Sequence, residues 1–444
     1  MSKHFTMPRL LRVTGPSIAM MLFTSIYGIV DGLFVSNFAG KTAFAAVNLI
    51  MPFIMILGCT GFMIGSGGSE LVAKTRGMGD DKKANERFSL MVYFALALGI
   101  VLALIGFFTM EPVARLLGAG DNMLDLCVLY GRISMVSLPA YMLQYAFQAF
   151  FNTAGKPKLG LAVTVIAGCM NIVLDAVFVG VFGWGVMGAA WATVITEFVG
   201  GFIPIIYFAR PNSSALRLGR TVLDWRAIGG ACFNGSSEMM SNIAQSVVSM
   251  LYNFQLMALY GEDGVAAYGA CMYICFVFLA VLMGYAVGTA PLMSYQHGAK
   301  NYEEMNSLWK KSLAFMAIFG IAMFVLAELC AGPFAYIYTG YDEGLYNLTK
   351  YAFHLFSVAY LICGFSMYGS SLFTSLGNGL VSALIAFLRV LVFEAIAIFV
   401  LPMLFGPAAI WLSWTVGELL ALALTFGFMF GLGKTYGYRK APLR

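Results

Sequence analysis

Charge is scarce in this sequence. Of its 444 residues only 11% are Asp, Glu, Lys or Arg, against about 25% in ordinary globular chains. Hydrophobic residues make up 60% and mean hydropathy is +0.84. So few charges cannot cover the surface of a water-soluble chain, so most of the exterior must face lipid, and secretion, nucleic-acid binding and cytosolic catalysis fit poorly. Histidine is nearly absent, with His4, His297 and His354 alone, which argues against a histidine metal site. The eight cysteines form no CxxC pair, so neither a disulfide frame nor a zinc site is suggested. No HExxH or GxSxG run occurs, and the loops are too short for a catalytic domain. An enzyme is not expected, and no cofactor is implied.

Long apolar runs are what the sequence has instead. A hydrocarbon core about 30 Å thick takes roughly 20 residues of helix, and backbone groups in lipid must bond within their own segment. Twelve spans are expected, at about 13–38, 46–72, 88–110, 126–151, 159–182, 186–208, 228–260, 266–294, 312–338, 351–375, 381–404 and 409–431. Twenty-one of the 26 Lys and Arg residues fall at the ends of the chain and in alternate loops, and only Lys41, Arg115 and Lys350 fall in the opposite loops. That asymmetry predicts both termini on the cytoplasmic side of a bacterial inner membrane.

The two halves of the chain repeat. At an offset of 221 residues Gly40 aligns with Gly261, Gly67 with Gly288 and Gly77 with Gly298; at 222, Phe151-Asn-Thr-Ala-Gly155 aligns with Phe373-Thr-Ser-Leu-Gly377. The expected organisation is an amino-terminal six-helix bundle (1–208), a cytoplasmic linker (209–226), and a carboxyl-terminal bundle with its tail (227–444). Both halves begin on one side, so the repeat is parallel. Such duplication marks transporters whose substrate site lies between the halves.

Ionisable residues within spans are costly and therefore candidates for function. Asp31, Asn171, Asp175 and Thr193 all fall about 12–15 Å below the outer surface at 1.5 Å per residue, and Asn171 shares a helical face with Asp175. Two carboxylates, an amide and a hydroxyl at one depth can bind a small hard cation such as Na⁺ or share a proton; separate hydrogen bonds between helices are the structural alternative. The repeat partner of Asp31 is Tyr252, and those of Asn171 and Asp175 are Phe393 and Ala397, so this pocket belongs to the first half alone. Glu197 and its repeat partner Glu418 suit function and helix bridging equally. Glu238 could face a cavity open to the cytoplasm. Glu394 and Arg389 are read as partners of neighbouring helices, Glu70, Glu328 and Arg132 as snorkelling or paired groups, and His354 as packed or at the surface. Pro16 should bend the first helix.

With these residues in place the chain resembles the multidrug and toxic compound extrusion (MATE) family, closest to its bacterial, MepA-like branch. The resemblance rests on Gly15-Pro16 and Asp31, Asn171-Ile-Val-Leu-Asp175, Gly188-Ala-Ala-Trp-Ala-Thr193 and Phe151-Asn-Thr-Ala-Gly-Lys-Pro157. It implies twelve helices in two parallel, pseudo-symmetric bundles around a central cavity. It also implies efflux of cationic or amphipathic small molecules in exchange for inward H⁺ or Na⁺, by a chain functional as a monomer. Asp31, Asn171, Asp175 and Thr193 match the family's cation-coupling positions. Other members couple through acidic residues in the seventh and tenth helices; here the seventh carries Gln245 and the tenth span has none. A lipid-linked precursor flippase of the same superfamily is the alternative, but fourteen spans and a strongly cationic cavity would suit it better. A passive channel is a third.

Overall fold

The computed structural model describes residues 4–34, 41–117, 119, 121–340 and 342–439, without the side chains of 27–29, 31–34, 41–45, 48, 121, 122, 262 and 338. Of the residues named above, Gly40 falls outside that set, as do the side chains of Asp31 and Lys41. The chain is a multi-pass membrane protein with twelve helical passes: α1 (Met7–Phe34), α2 (Lys41–Gly77), α3 (Asp81–Leu116), α4 (Asp121–Thr153), α5 (Pro157–Val181), α6 (Gly185–Ala209), α7 (Trp225–Tyr260), α8 (Glu262–Gly298), α9 (Tyr302–Thr339), α10 (Glu343–Ser375), α11 (Gly379–Phe405) and α12 (Pro407–Leu432). Among the described residues nine are long and apolar enough to cross a membrane singly, and broken α10 makes a tenth. The repeat partners α1 and α7 complete the fold. Large apolar side chains such as Phe108, Leu329 and Met403 stand exposed, as a lipid-facing exterior requires.

Short polar residues start the helices. Asp80, Asp224, Asn301, Asp342 and Asn378 each accept a backbone N–H from the first turn that follows, satisfying donors that the helix itself leaves open. Several helices overrun the expected spans: α2 has 37 residues, or about 55 Å at 1.5 Å per residue, longer than a hydrocarbon core of about 30 Å is thick. The tenth span corrects the sequence reading in a second way. It begins at Glu343 rather than 351 and bends by 41° between Leu361 and Cys363, where the last turn of its first segment is 3₁₀. α5 and α11 each contain one π turn, at Ala176–Val181 and Leu388–Phe393. α1 runs without interruption through Pro16.

Two large cores form, one among α2 to α6 with the start of α7, the other among α7 to α12 with Leu10 of α1, and a small third joins Met20 and Met21 of α1 to Ala280 of α8. Repeat-related backbones close the seam between them on the Lys/Arg-rich side. A Cβ added to Gly77 would lie 2.1 Å from the Tyr295 carbonyl oxygen, and one added to its repeat partner Gly298 would lie 2.1 Å from that of Lys74. Higher up, Gly67 meets Ala231 and Gly235 of α7, while its partner Gly288 meets Thr14 of α1. Thr14 and Gly235 are themselves 221 residues apart. α1 thus crosses to the second bundle at α8 and α7 crosses to the first at α2. Ser294 adds a hydrogen bond across the seam, donating to the Glu70 carbonyl at 2.9 Å.

Candidate functional site

The four residues expected to bind a cation lie on three neighbouring helices, since α1 and α6 both pack against α5. Asn171 and Asp175 are buried on one face of α5, and the π turn begins immediately after Asp175. Thr193, partly buried on α6, offers its carbonyl to the Thr196 hydroxyl at 2.8 Å. Asp31 sits in the last turn of α1, and its side chain lies outside the described residues.

A second polar region lies between the bundles. A cavity draws its walls from α1, α2 and α4 on one side and from α7, α8, α10 and α11 on the other. Met21, Phe62, Met283 and Met367 supply apolar surface; Glu70, Gln148, Glu238 and Arg389 supply charge and amide groups. Glu70 and Gln148 are each 3% exposed. Helix packing sets their depths. α2 and α4 run in the same direction, and Gly61 abuts Met142 and Gly65 abuts Ala146, which brings Gln148 level with about Ser66. Glu70 therefore lies one turn, about 6 Å, nearer the sealed face, and Glu238 lies on the other side of Gln148.

A smaller cavity lies inside the second bundle, lined by Gln245, Tyr268, Arg389, Glu394, Trp414 and Glu418 among others. Arg389 contributes to both cavities. Its guanidinium is 3.5 Å from the Glu418 carboxylate, which also accepts the Trp414 indole N–H at 3.3 Å. The structure thus separates the remaining candidates: Glu238 lines the central cavity, Gln245 the smaller one, Tyr252 is fully buried and stacks on Tyr268 with ring centroids 4.7 Å apart, and Glu197 lines neither.

One reading needs correction and a second needs extending. Glu70 does not snorkel: α2 continues to Gly77 and the opposite bundle covers it, so a residue near the expected end of a span is an interior one. Arg389 pairs with Glu418 as expected of a structural partner, yet it also faces the central cavity. The signal for Glu70 was the run Gly65-Ser-Gly-Gly-Ser69 before it, too small and polar to face lipid. Gln148 carried no charge and drew no notice. Glu328 is paired, accepting from Ser357 at 2.6 Å and lying 2.7 Å from His354, and Arg132 stands over the Phe107 ring.

Twelve helices in two pseudo-symmetric bundles, with a polar cavity at their seam, define a membrane transporter fold of the MATE type. The chain belongs to the MatE family, whose model matches two segments of equal length, residues 16–177 and 239–400. Among its relatives, the multidrug export protein MepA of Staphylococcus saprophyticus subsp. saprophyticus is 24% identical over 419 residues, covering 94% of this chain and 90% of its own. MepA of Staphylococcus haemolyticus is 23% identical over 441 residues, covering 99% and 95%. A MATE protein crystallised in complex with MaL6 superposes with a TM-score of 0.91 at 21% identity, covering 97% of each chain, and that likeness shows the fold.

Proposed function

We propose that the protein is a secondary antiporter that exports cationic or amphipathic small molecules in exchange for inward H⁺ or Na⁺. The observation that carries this reading is the cavity at the seam of two repeat-related bundles, lined by carboxylates and adaptable Met side chains and closed on one face by the α2–α7–α8 contacts. Alternating access requires that seam to part and the opposite one to close, with 1–208 and 227–444 as the moving units and 209–226 as the link. Asp31, Asn171, Asp175 and Thr193 form the coupling site in this scheme. Buried acid and amide side chains on one face of α5, beside a π turn of the kind frequent at functional sites, support it. In this reading the sealed, Lys/Arg-rich face is the cytoplasmic one and both termini lie inside a bacterial cell. A cation entering down the membrane potential contributes about 2.3 kcal/mol per 100 mV, and exchange harnesses it when ion and substrate binding exclude each other.

The test is dye transport in proteoliposomes under imposed H⁺ or Na⁺ gradients, with Asp31→Asn beside wild type. Gradient-driven movement of ethidium that the substitution reduces to the protein-free leak is expected, and the effective gradient identifies the ion. Wild-type movement in Asp31→Asn would remove Asp31 from the coupling site. If no cationic dye responds to any gradient, the efflux reading fails and a lipid-precursor flippase takes its place.

A further inference from the structure

The base of the central cavity holds a polar pair that the coupling scheme does not use. Glu70 and Gln148, each 3% exposed, line one cavity from neighbouring helices. Glu70 Oε2, Gln148 Oε1 and Gln148 Nε2 are all buried without a hydrogen-bond partner. Leaving such atoms unpaired costs about 1–3 kcal/mol each, so unpaired acceptors on the walls of one cavity are a feature that a donor-bearing ligand would relieve. Two of the three are acceptors, one of them on a carboxylate. About two turns above Glu70, Glu238 adds a second carboxylate, and the Met and Phe side chains already described give the cavity an apolar wall.

From this geometry we infer that Glu70 and Gln148 form an ammonium-recognition subsite that favours cations bearing an N–H. A protonated primary, secondary or tertiary amine brings both positive charge and at least one donor. A quaternary ammonium brings the charge alone and leaves the acceptors unpaired. Discrimination by hydrogen bonding is strong where the site's own groups are buried, because the wrong ligand leaves them unsatisfied. One charge-assisted hydrogen bond corresponds to about tenfold in affinity. The subsite deepens the efflux reading and rests on it for its physiological use, but its binding preference stands or falls separately.

The test uses a matched pair of probes, a dansyl-labelled alkylammonium and its trimethylammonium analogue, with full-length protein in detergent. Binding is followed by dansyl fluorescence, and transport by the same probes in proteoliposomes. Wild type should bind the ammonium probe about tenfold more tightly than the trimethylammonium one. Gln148→Met, which keeps length and charge balance but removes the amide, should bring the two affinities within about twofold, with trimethylammonium binding unchanged. Glu70→Gln should weaken both, the ammonium probe more. Equal affinities in wild type would overturn the subsite without recourse to any variant, as would a preference that survives both substitutions. A preference in binding with no gradient-driven transport of either probe would leave the subsite standing and overturn the efflux reading instead.

Discussion

At the scale of single residues, the cost of a buried charge decides what each group can do. Asp175 is fully buried, and its replacement by Asn keeps shape and hydrogen-bonding capacity while removing the proton or Na⁺ that a carboxylate would hold. Asp175→Asn should therefore lower gradient-driven efflux at least tenfold while the protein still inserts and binds dye, measured by fluorescence in the same vesicles. Arg389 is the opposite case. Removing one partner of a buried ion pair typically costs 3–5 kcal/mol, because the other charge is stranded. Arg389→Met should lower thermal stability in detergent markedly, and Arg389→Met with Glu418→Gln should recover most of the loss. A pair of equal and additive losses would show that the two groups do not depend on each other. These residues also mark how far the sequence could be read. Asp31, Asn171 and Asp175 stood out because charge or amide within an apolar run is conspicuous. Glu70 was misplaced because the end of a span was judged by hydropathy, whereas the opposite bundle, distant in sequence, is what buries it.

At the scale of helices, the repeat was legible because glycine leaves a mark that substitution cannot blur. Gly155 and Gly377 end corresponding helices in both halves with φ of 72° and 77°, a conformation that residues with a Cβ avoid. The break in α10 was not legible: no Pro marks it, and tertiary packing sets the bend between Leu361 and Cys363. The crossing of α1 onto α8 and of α7 onto α2 likewise emerges only in three dimensions, yet its contact points, Gly67 and Gly288, and those of the neighbouring α2–α8 contact, Gly77 and Gly298, are the very positions by which the halves align. Gly77→Val should disfavour the sealed state by about 1–3 kcal/mol, the usual cost of overpacking. Spin labels placed across the seam would report wider separation in that variant. Gly427→Ala, where an added Cβ meets nothing within 4 Å, should leave the distances unchanged.

For the whole molecule, orientation follows from charge rather than from shape, since the fold has near-equivalent halves that both begin on one side. Single cysteines introduced at Lys82 and Asn347 of a chain otherwise free of cysteine give the check. An impermeant maleimide applied to intact cells should label position 347 at once and position 82 only after permeabilisation. The reverse pattern would invert the proposed topology, and with it the direction of transport.

The glycine seam also bears on how fast such a molecule can turn over. Where an added Cβ would strike a carbonyl oxygen, the glycine's own hydrogen points at that oxygen instead, as at Gly77 and Gly298. Contacts of this Cα–H···O kind are worth about 0.5–1 kcal/mol each. They hold two backbones close enough to exclude water without knitting side chains together. Parting them strands no ion pair and forces no rotamer to repack, so the closed face can be watertight and still yield within each transport cycle.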